Sequence, residues 1–413
     1  MSFFDYGILF VFFLLLFSEI MSGVSRYYLS TLGLTPLIYV PKMLILLIIL
    51  VIIMHSIWRA KINKIYLIIL LLFAIFACVG LYYAEGGSLQ VAFGGYVLMI
   101  FFFGIIALPS FIYAESKLKP YIIALWLLAI IGVLLDYYYT LPWTGSEYQF
   151  VGANIEGSRQ WVYLGVERLA GFGRISFATA IQILLLGIFL VVMIDSWWFR
   201  MFIWLIGGGV IVLTTTKTVV GVYIALTLFI IFRTLLPHVF WRSVLILIAL
   251  IGIAMPVSTL IYSYQIRLDS YISEFVFMSF GMRFMNIWPQ AFELVENHGS
   301  LLLGRGIGGI GSAQIYFEPF LSNPGDNLYL YLYLLSGFGM FPFIWAYVRW
   351  AGRLDLHSNS FDILFFMIAM SVLLEGWTVN LIESPVFALF FGLSFRYVFL
   401  KKSNLNFNKP HSL

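Results

Sequence analysis

Apolar runs of roughly twenty residues recur along the chain, set apart by short polar gaps. A hydrocarbon core about 30 Å thick needs about 20 apolar residues per helix, and a spanning backbone has to satisfy its own hydrogen bonds. Continuous runs of this length, without the alternation of barrel strands, predict helices. Twelve are expected, near 5–22, 37–57, 65–84, 91–113, 121–138, 174–194, 200–214, 218–233, 243–262, 326–347, 361–380 and 384–400. The stretch 201–232 is almost unbroken, and only Thr214-Thr215-Thr216-Lys217 marks a turn within it. Two polar gaps are long, near 139–173 and 263–323. The second ends in LLLGRGIGGIGSAQIYFEPFLSNPGDN and runs straight into YLYLYLLSGFGMF. Because the chain keeps so little outside its apolar runs, chemistry is expected in that segment.

Composition narrows the class. The chain is 62% hydrophobic and 10% charged, whereas an ordinary soluble domain carries roughly a quarter charged residues. The expected fold is all-α: a single polytopic integral membrane domain over 1–413. Lys and Arg accumulate in short cytoplasmic loops, and every second gap here is basic. Those gaps and the C-terminal tail hold fourteen of the 23 basic residues. Both termini are therefore expected in the cytoplasm and both long loops outside. The first apolar run lacks a basic n-region and a small-residue cleavage site, so it reads as a retained helix. Cys78 stands alone, which excludes an internal disulfide. The net charge of +4 follows from the orientation signal and points to no nucleic-acid partner.

The remaining basic residues are Arg26, Lys42, Arg159, Arg168, Arg174, Lys217, Arg267, Arg283 and Arg305. An ionised side chain at membrane depth costs at least about 2.5 kcal/mol, so those retained usually face a cavity or a partner. All but Arg26 and Lys42 lie in or beside the long loops or at the outer end of the seventh and eighth runs. Two readings follow. They form a cationic pocket for a phosphate or pyrophosphate, which Arg binds bidentately, or they pair with Glu147, Glu156, Glu167, Asp269 and Glu274 in solvated loops. Near them Tyr316, Phe317, Phe320, Tyr329, Tyr331 and Tyr333 gather beside Glu318 and Asp326. Rings with polar tips suit a sugar surface, and equally an interfacial belt. Gly306 to Gly311 spell G-x-G-x-x-G, but no βαβ unit surrounds them. The five His residues fall in no metal-ligand spacing, and there is no Asp-x-Asp pair. A nucleophile elbow of the G-x-S-x-G type is also missing.

Four fragments, ERLAGFGRISFATA (167–180), LTTTKTVVG (213–221), MRFMNIWPQAFELVENHGSLLLGRGIG (282–308) and DNLYLYLYLLSGFGMF (326–341), together resemble the O-antigen polymerase and ligase superfamily, of the Wzy and WaaL type. The corresponding positions are Arg168 with Gly171, Thr216-Lys217, Arg283 with Trp288, Gly304 with Gly306, and Asp326-Asn327. Lys217 departs from the family's Arg, and Asp326 stands where the ligase branch has His. The resemblance implies a polymerase of undecaprenyl-pyrophosphate-linked repeat units at the periplasmic face of a bacterial inner membrane. Glycosyl transfer would need neither metal nor cofactor. Arg168, Lys217, Arg283 and Arg305 would bind the pyrophosphate. Asp326, with Glu318 in reserve, would deprotonate the acceptor hydroxyl, although Asp326 also reads as the N-cap of the span that follows it. Tyr316, Asn327 and Tyr329 would contact the glycan. The implied partners are lipid-linked donor and acceptor glycans and membrane lipid, with a chain-length regulator as a further candidate. One alternative is an O-antigen ligase acting on lipid A core, against which Asp326 in place of His counts. A lipid-linked sugar flippase is the other, but it should show repeats and midplane charges, whereas these charges gather at one face.

Overall fold

A computed structural model describes residues 3–58, 64–150, 153–163, 165–265 and 270–402. Arg267 and Asp269 lie outside the described residues. The chain opens with α1 (Phe3–Ile20), α2 (Ser22–Thr31), α3 (Val40–Trp58), α4 (Lys64–Tyr83), α5 (Gly87–Tyr113) and α6 (Glu115–Tyr138). Two small hairpins follow, β1 (Glu147–Phe150) with β2 (Ala153–Glu156), and β3 (Trp161–Tyr163) with β4 (Val166–Arg168). The first pairs Glu147 with Glu156, the second Trp161 with Arg168. Then come α7 (Ser176–Met193), α8 (Trp197–Leu213), α9 (Lys217–Phe232) and α10 (His238–Ser258). The segment expected as one long loop is largely helical: α11 (Tyr271–Met282), a π-helical stretch at Arg283–Ile287, α12 (Trp288–His298) and α13 (Ser312–Phe317). The chain closes with α14 (Leu328–Ser336), α15 (Met340–Ala351), α16 (Ser360–Glu375) and α17 (Pro385–Lys402).

Among the described residues, six helical stretches are long and apolar enough to cross a membrane, or seven if α1 and α2, bent by 80° at Met21, count as one span. This is the architecture of a multi-pass helical membrane protein. Leu67–Tyr83, α8 and α9 are apolar but shorter, below the about 20 residues that a perpendicular span requires. The turn marked by Thr214 to Thr216 is where α8 ends and α9 begins.

Burial sorts the helices by neighbour. α7 is buried along almost its whole length, so its Leu, Ile and Phe side chains meet protein on every side. α5 lies along α17, and Gly104 and Gly392 bring their backbones together: a Cβ at 392 would sit 3.0 Å from Gly104 Cα. Small residues at such crossings let helices approach, which substitutes in lipid for the missing hydrophobic drive. By contrast α3, α4, α8 and α10 expose Leu47, Leu50, Leu71, Phe202 and Leu247, as helices facing hydrocarbon do.

Candidate functional site

The segment 167–174 is fastened to the end of α6. The Asp136 carboxylate accepts from the backbone N–H of Ala170 at 2.9 Å and of Gly171 at 2.8 Å, and the Trp143 indole donates to the Gly171 carbonyl at 2.8 Å. Gly171 has φ of 62°, and a Cβ there would lie 2.7 Å from the Gly132 carbonyl carbon. Only glycine fits this turn. Its position fixes Arg168 at the end of β4, with the guanidinium 5.0 Å from the Trp161 ring centroid, a cation–π distance.

Lys217 is the first residue of α9, presented by a turn in which Thr215 takes a φ of 54°, uncommon for a β-branched residue. Arg283 opens the π-helical stretch. Its Nη2 lies 3.2 Å from Asp326 Oδ2 and its Nη1 donates to the Ser279 carbonyl at 2.7 Å, while its buried Nε has no partner. Trp288, fully buried, braces the pair. Its indole donates to the Asp326 carbonyl at 3.4 Å and its ring meets Phe284 at 4.5 Å. π turns are rare and concentrate at functional sites.

Arg168 lies within electrostatic reach of both Lys217 and Arg283. Burial pushes the Arg283 guanidinium down, Asp326 opposes this, and Arg168 adds to it; burial also pushes Arg168 down. Three of the four expected cations are therefore linked in one run, Lys217 to Arg168 to Arg283, and Arg283 joins that run to Asp326. The Asp326 carboxyl is raised above the usual range by burial, with Arg283 opposing, and its side chain keeps 28% exposure. A partly open carboxylate with a raised pKa suits a general base. The N-cap reading of Asp326 is corrected: Asn327 caps α14, its side chain accepting from the Leu330 N–H at 2.8 Å.

Other expectations meet a different geometry. Arg305 and Glu318 form a fully buried, two-pronged ion pair at 3.0 and 3.1 Å. The remaining Arg305 N–H groups go to the carbonyls of His298, Gly309 and Tyr83. Glu318 also accepts from the Glu85 backbone N–H and the Gln314 amide. These bonds outweigh burial and hold its carboxyl below the usual range. With every donor used inside the fold, Arg305 has none left for pyrophosphate, and Glu318, buried and paired, has no route to a hydroxyl. Asn327 is buried, its amide donating to the Gly252 and Trp377 carbonyls. Tyr329 is buried against Gly252 with its hydroxyl on the Leu373 carbonyl. Neither presents a surface to a glycan; Tyr316, half exposed with its ring tilted against Phe93 at 5.3 Å between centroids, does.

Two carboxylates were missed by sequence reasoning. Glu375, the last residue of α16, is fully buried; its polar neighbour is Thr218, beside Lys217, and neither oxygen completes a hydrogen bond. Its signal was an acid at the end of an apolar run, of the kind that usually marks function. Glu383, between α16 and α17, accepts from the Ser312 N–H at 3.1 Å and the Tyr331 hydroxyl at 3.2 Å, and burial pushes its carboxyl up to about 7. Nothing local in the sequence joins Glu383 to Ser312. An apolar cavity of about 170 Å³ opens between α10, α12, α14 and α15, bordered by Ile253, Pro256, Phe292, Leu330 and Phe341.

Comparison with protein-family models, curated proteins and solved structures finds no match.

Proposed function

We propose that this chain is a membrane glycosyltransferase that joins repeat units carried on polyprenyl pyrophosphate. The observation that carries the reading is a run of charges drawn from four separate parts of the chain: Asp326 pairs with Arg283, and Arg168 lies within electrostatic reach of both Arg283 and Lys217. The acceptor sugar hydroxyl attacks the anomeric carbon of the donor. As the new C–O bond forms, the bond to pyrophosphate breaks and its electron pair leaves on the phosphate oxygen. The hydroxyl proton passes to Asp326. Preorganised cations in a site shielded from water favour the charge that develops on the leaving group. The apolar cavity beside α14 suits the isoprenoid tail.

In this reading the apolar runs make twelve spans, some of them short or tilted, and the site faces the periplasm of a bacterial inner membrane. Energy comes from the donor's own pyrophosphate link, so no nucleotide is consumed there.

The test is elongation of lipid-linked repeats by purified protein in liposomes. Arg283→Ala should abolish polymer, and Asp326→Asn should lose turnover by about 10²-fold or more, both at normal protein levels. Because Asn327 supplies the cap, Asp326→Asn leaves α14 intact. Full activity in both variants would sink the proposal. In cells lacking the gene, a single capped repeat on surface lipopolysaccharide indicates a polymerase, and complete loss of attached repeats indicates a ligase or flippase.

A further inference from the structure

The same 167–174 segment that brings Arg168 to the candidate site brings Arg174 to a different cluster. The Arg174 backbone N–H donates to the Ser22 hydroxyl at 2.9 Å, and the Gly23 N–H to the Phe172 carbonyl at 2.9 Å. These bonds seat α2, folded back by the 80° break, against the segment. Behind the break lies a cavity of about 80 Å³ lined by Glu19, Ser22, Ser25, Arg26, Tyr39 and Lys42, among others, enough for several water-sized groups.

Charge there is unbalanced. Arg26 and Arg174 repel each other across the cluster. Its cations are Arg26, Lys42 and Arg174, while the carboxylate on the cavity wall is Glu19, which pairs with Lys42 at 3.5 Å. Arg26 Nη1 donates to the Tyr148 hydroxyl at 2.6 Å, a neutral partner, and the Arg174 Nε donates to the Glu156 carbonyl at 3.1 Å. Two buried donors are left over: Arg26 Nε and the Tyr96 hydroxyl complete no hydrogen bond, and Tyr96 lies within electrostatic reach of Arg26, Tyr39 and Glu19. Buried polar atoms are nearly always satisfied, so orphans call for an explanation. Spare donors, excess positive charge and a cavity together describe a receptor for an anion.

The geometry points to a second phosphate-binding site in this cavity, distinct from the Arg168–Lys217–Arg283 cluster and joined to it by the 167–174 segment. Its ligand class is a phosphate or pyrophosphate group. A transferase that couples two lipid-linked glycans has two such groups to hold, and that assignment, unlike the site itself, rests on the function proposed above.

Equilibrium binding of radiolabelled farnesyl pyrophosphate to the full-length protein in zwitterionic nanodiscs tests this. Wild type should take up two equivalents. Arg26→Gln combined with Arg174→Gln should lose one, and Arg283→Gln the other. Tyr96→Phe removes a hydroxyl that bonds nothing in the fold, so it should leave the unfolding temperature unchanged while weakening one equivalent roughly tenfold. Competition by inorganic pyrophosphate would mean that the phosphates alone are read; binding of the farnesyl ester without such competition would assign the site to a lipid headgroup. Two equivalents retained at wild-type affinity by the variant combining Arg26→Gln with Arg174→Gln overturn the second site. Uptake that responds to the double variant but not to Arg283→Gln leaves this site standing and removes the support for the function proposed above.

Discussion

Asp326 and Asn327 stand side by side, and the fold separates their roles. Asn327 turns inward to cap α14 and to tie Gly252 to Trp377, while Asp326 turns to Arg283. Either residue type can cap a helix, so sequence alone left the cap open; the backbone decides it. Asp326 as a base must be deprotonated, and its carboxyl is raised by burial against the opposing pull of Arg283. The acid limb of the kcat/KM profile should therefore lie above the ordinary carboxylate range of about 4. In Arg283→Gln, which removes the opposing charge, the limb of the residual activity should move to higher pH. A limb that stays put would detach Asp326 from the rate. Arg305 and Glu318 illustrate the opposite outcome, since thirteen positions apart no periodicity links them and each looked free for chemistry. Removing one partner strands a buried charge, so Arg305→Met should destabilise the protein by about 3–5 kcal/mol. Arg305→Met with Glu318→Met should lose less, as measured by thermal unfolding in detergent.

Elements were legible in proportion to how far hydropathy alone dictates them. The long apolar helices follow from run length, and the break between α8 and α9 from three threonines and a lysine. The hairpins β1–β2 and β3–β4 and the helices α11 to α13 carry mixed sequences whose form depends on what they pack against, so they read as loop. α13 shows the dependence: its Ser312 N–H is held by Glu383, some seventy residues later. That bond has a pH signature. The folded carboxyl keeps its proton up to about 7, against about 4.3 for a free Glu. A raised carboxyl contributes stability that is full below the unfolded value and is lost as pH rises through the folded one. Glu383→Gln stays uncharged throughout, so its unfolding temperature relative to wild type should climb between about pH 5 and pH 8. A difference that is flat with pH would show that Glu383 titrates normally.

At the scale of the molecule, the clustering of the candidate cations was foreseeable from their break with the charge pattern of the short gaps, but not its division. Arg283 meets Asp326, with Arg168 and Lys217 in electrostatic series behind it, Arg305 goes into the fold, and Arg174 joins the cluster of Arg26 and Lys42. That division depends on which helices adjoin, information absent from a linear charge pattern. Orientation remains a statement about the bilayer and has its own check. In a Cys78→Ala background, Glu147→Cys and Ser300→Cys should react with a membrane-impermeant thiol reagent added from the periplasm, and Asp355→Cys should not. Labelling of Asp355→Cys in intact inner membranes would invert the topology and move the site to the cytoplasm.

The π-helical stretch at Arg283–Ile287 makes part of the site a matter of chain length rather than composition. A π turn closes its hydrogen bonds one residue later than an α turn, so it holds one residue too many for the helix around it. Deleting Met285 should remove that extra residue and turn α11 by roughly 100° against α12, with every other side chain kept. Arg283 would then no longer share its present phase with Trp288 and Asp326. A single-codon deletion should therefore abolish the proposed glycosyl transfer while the purified protein keeps its overall helix content, as circular dichroism would show.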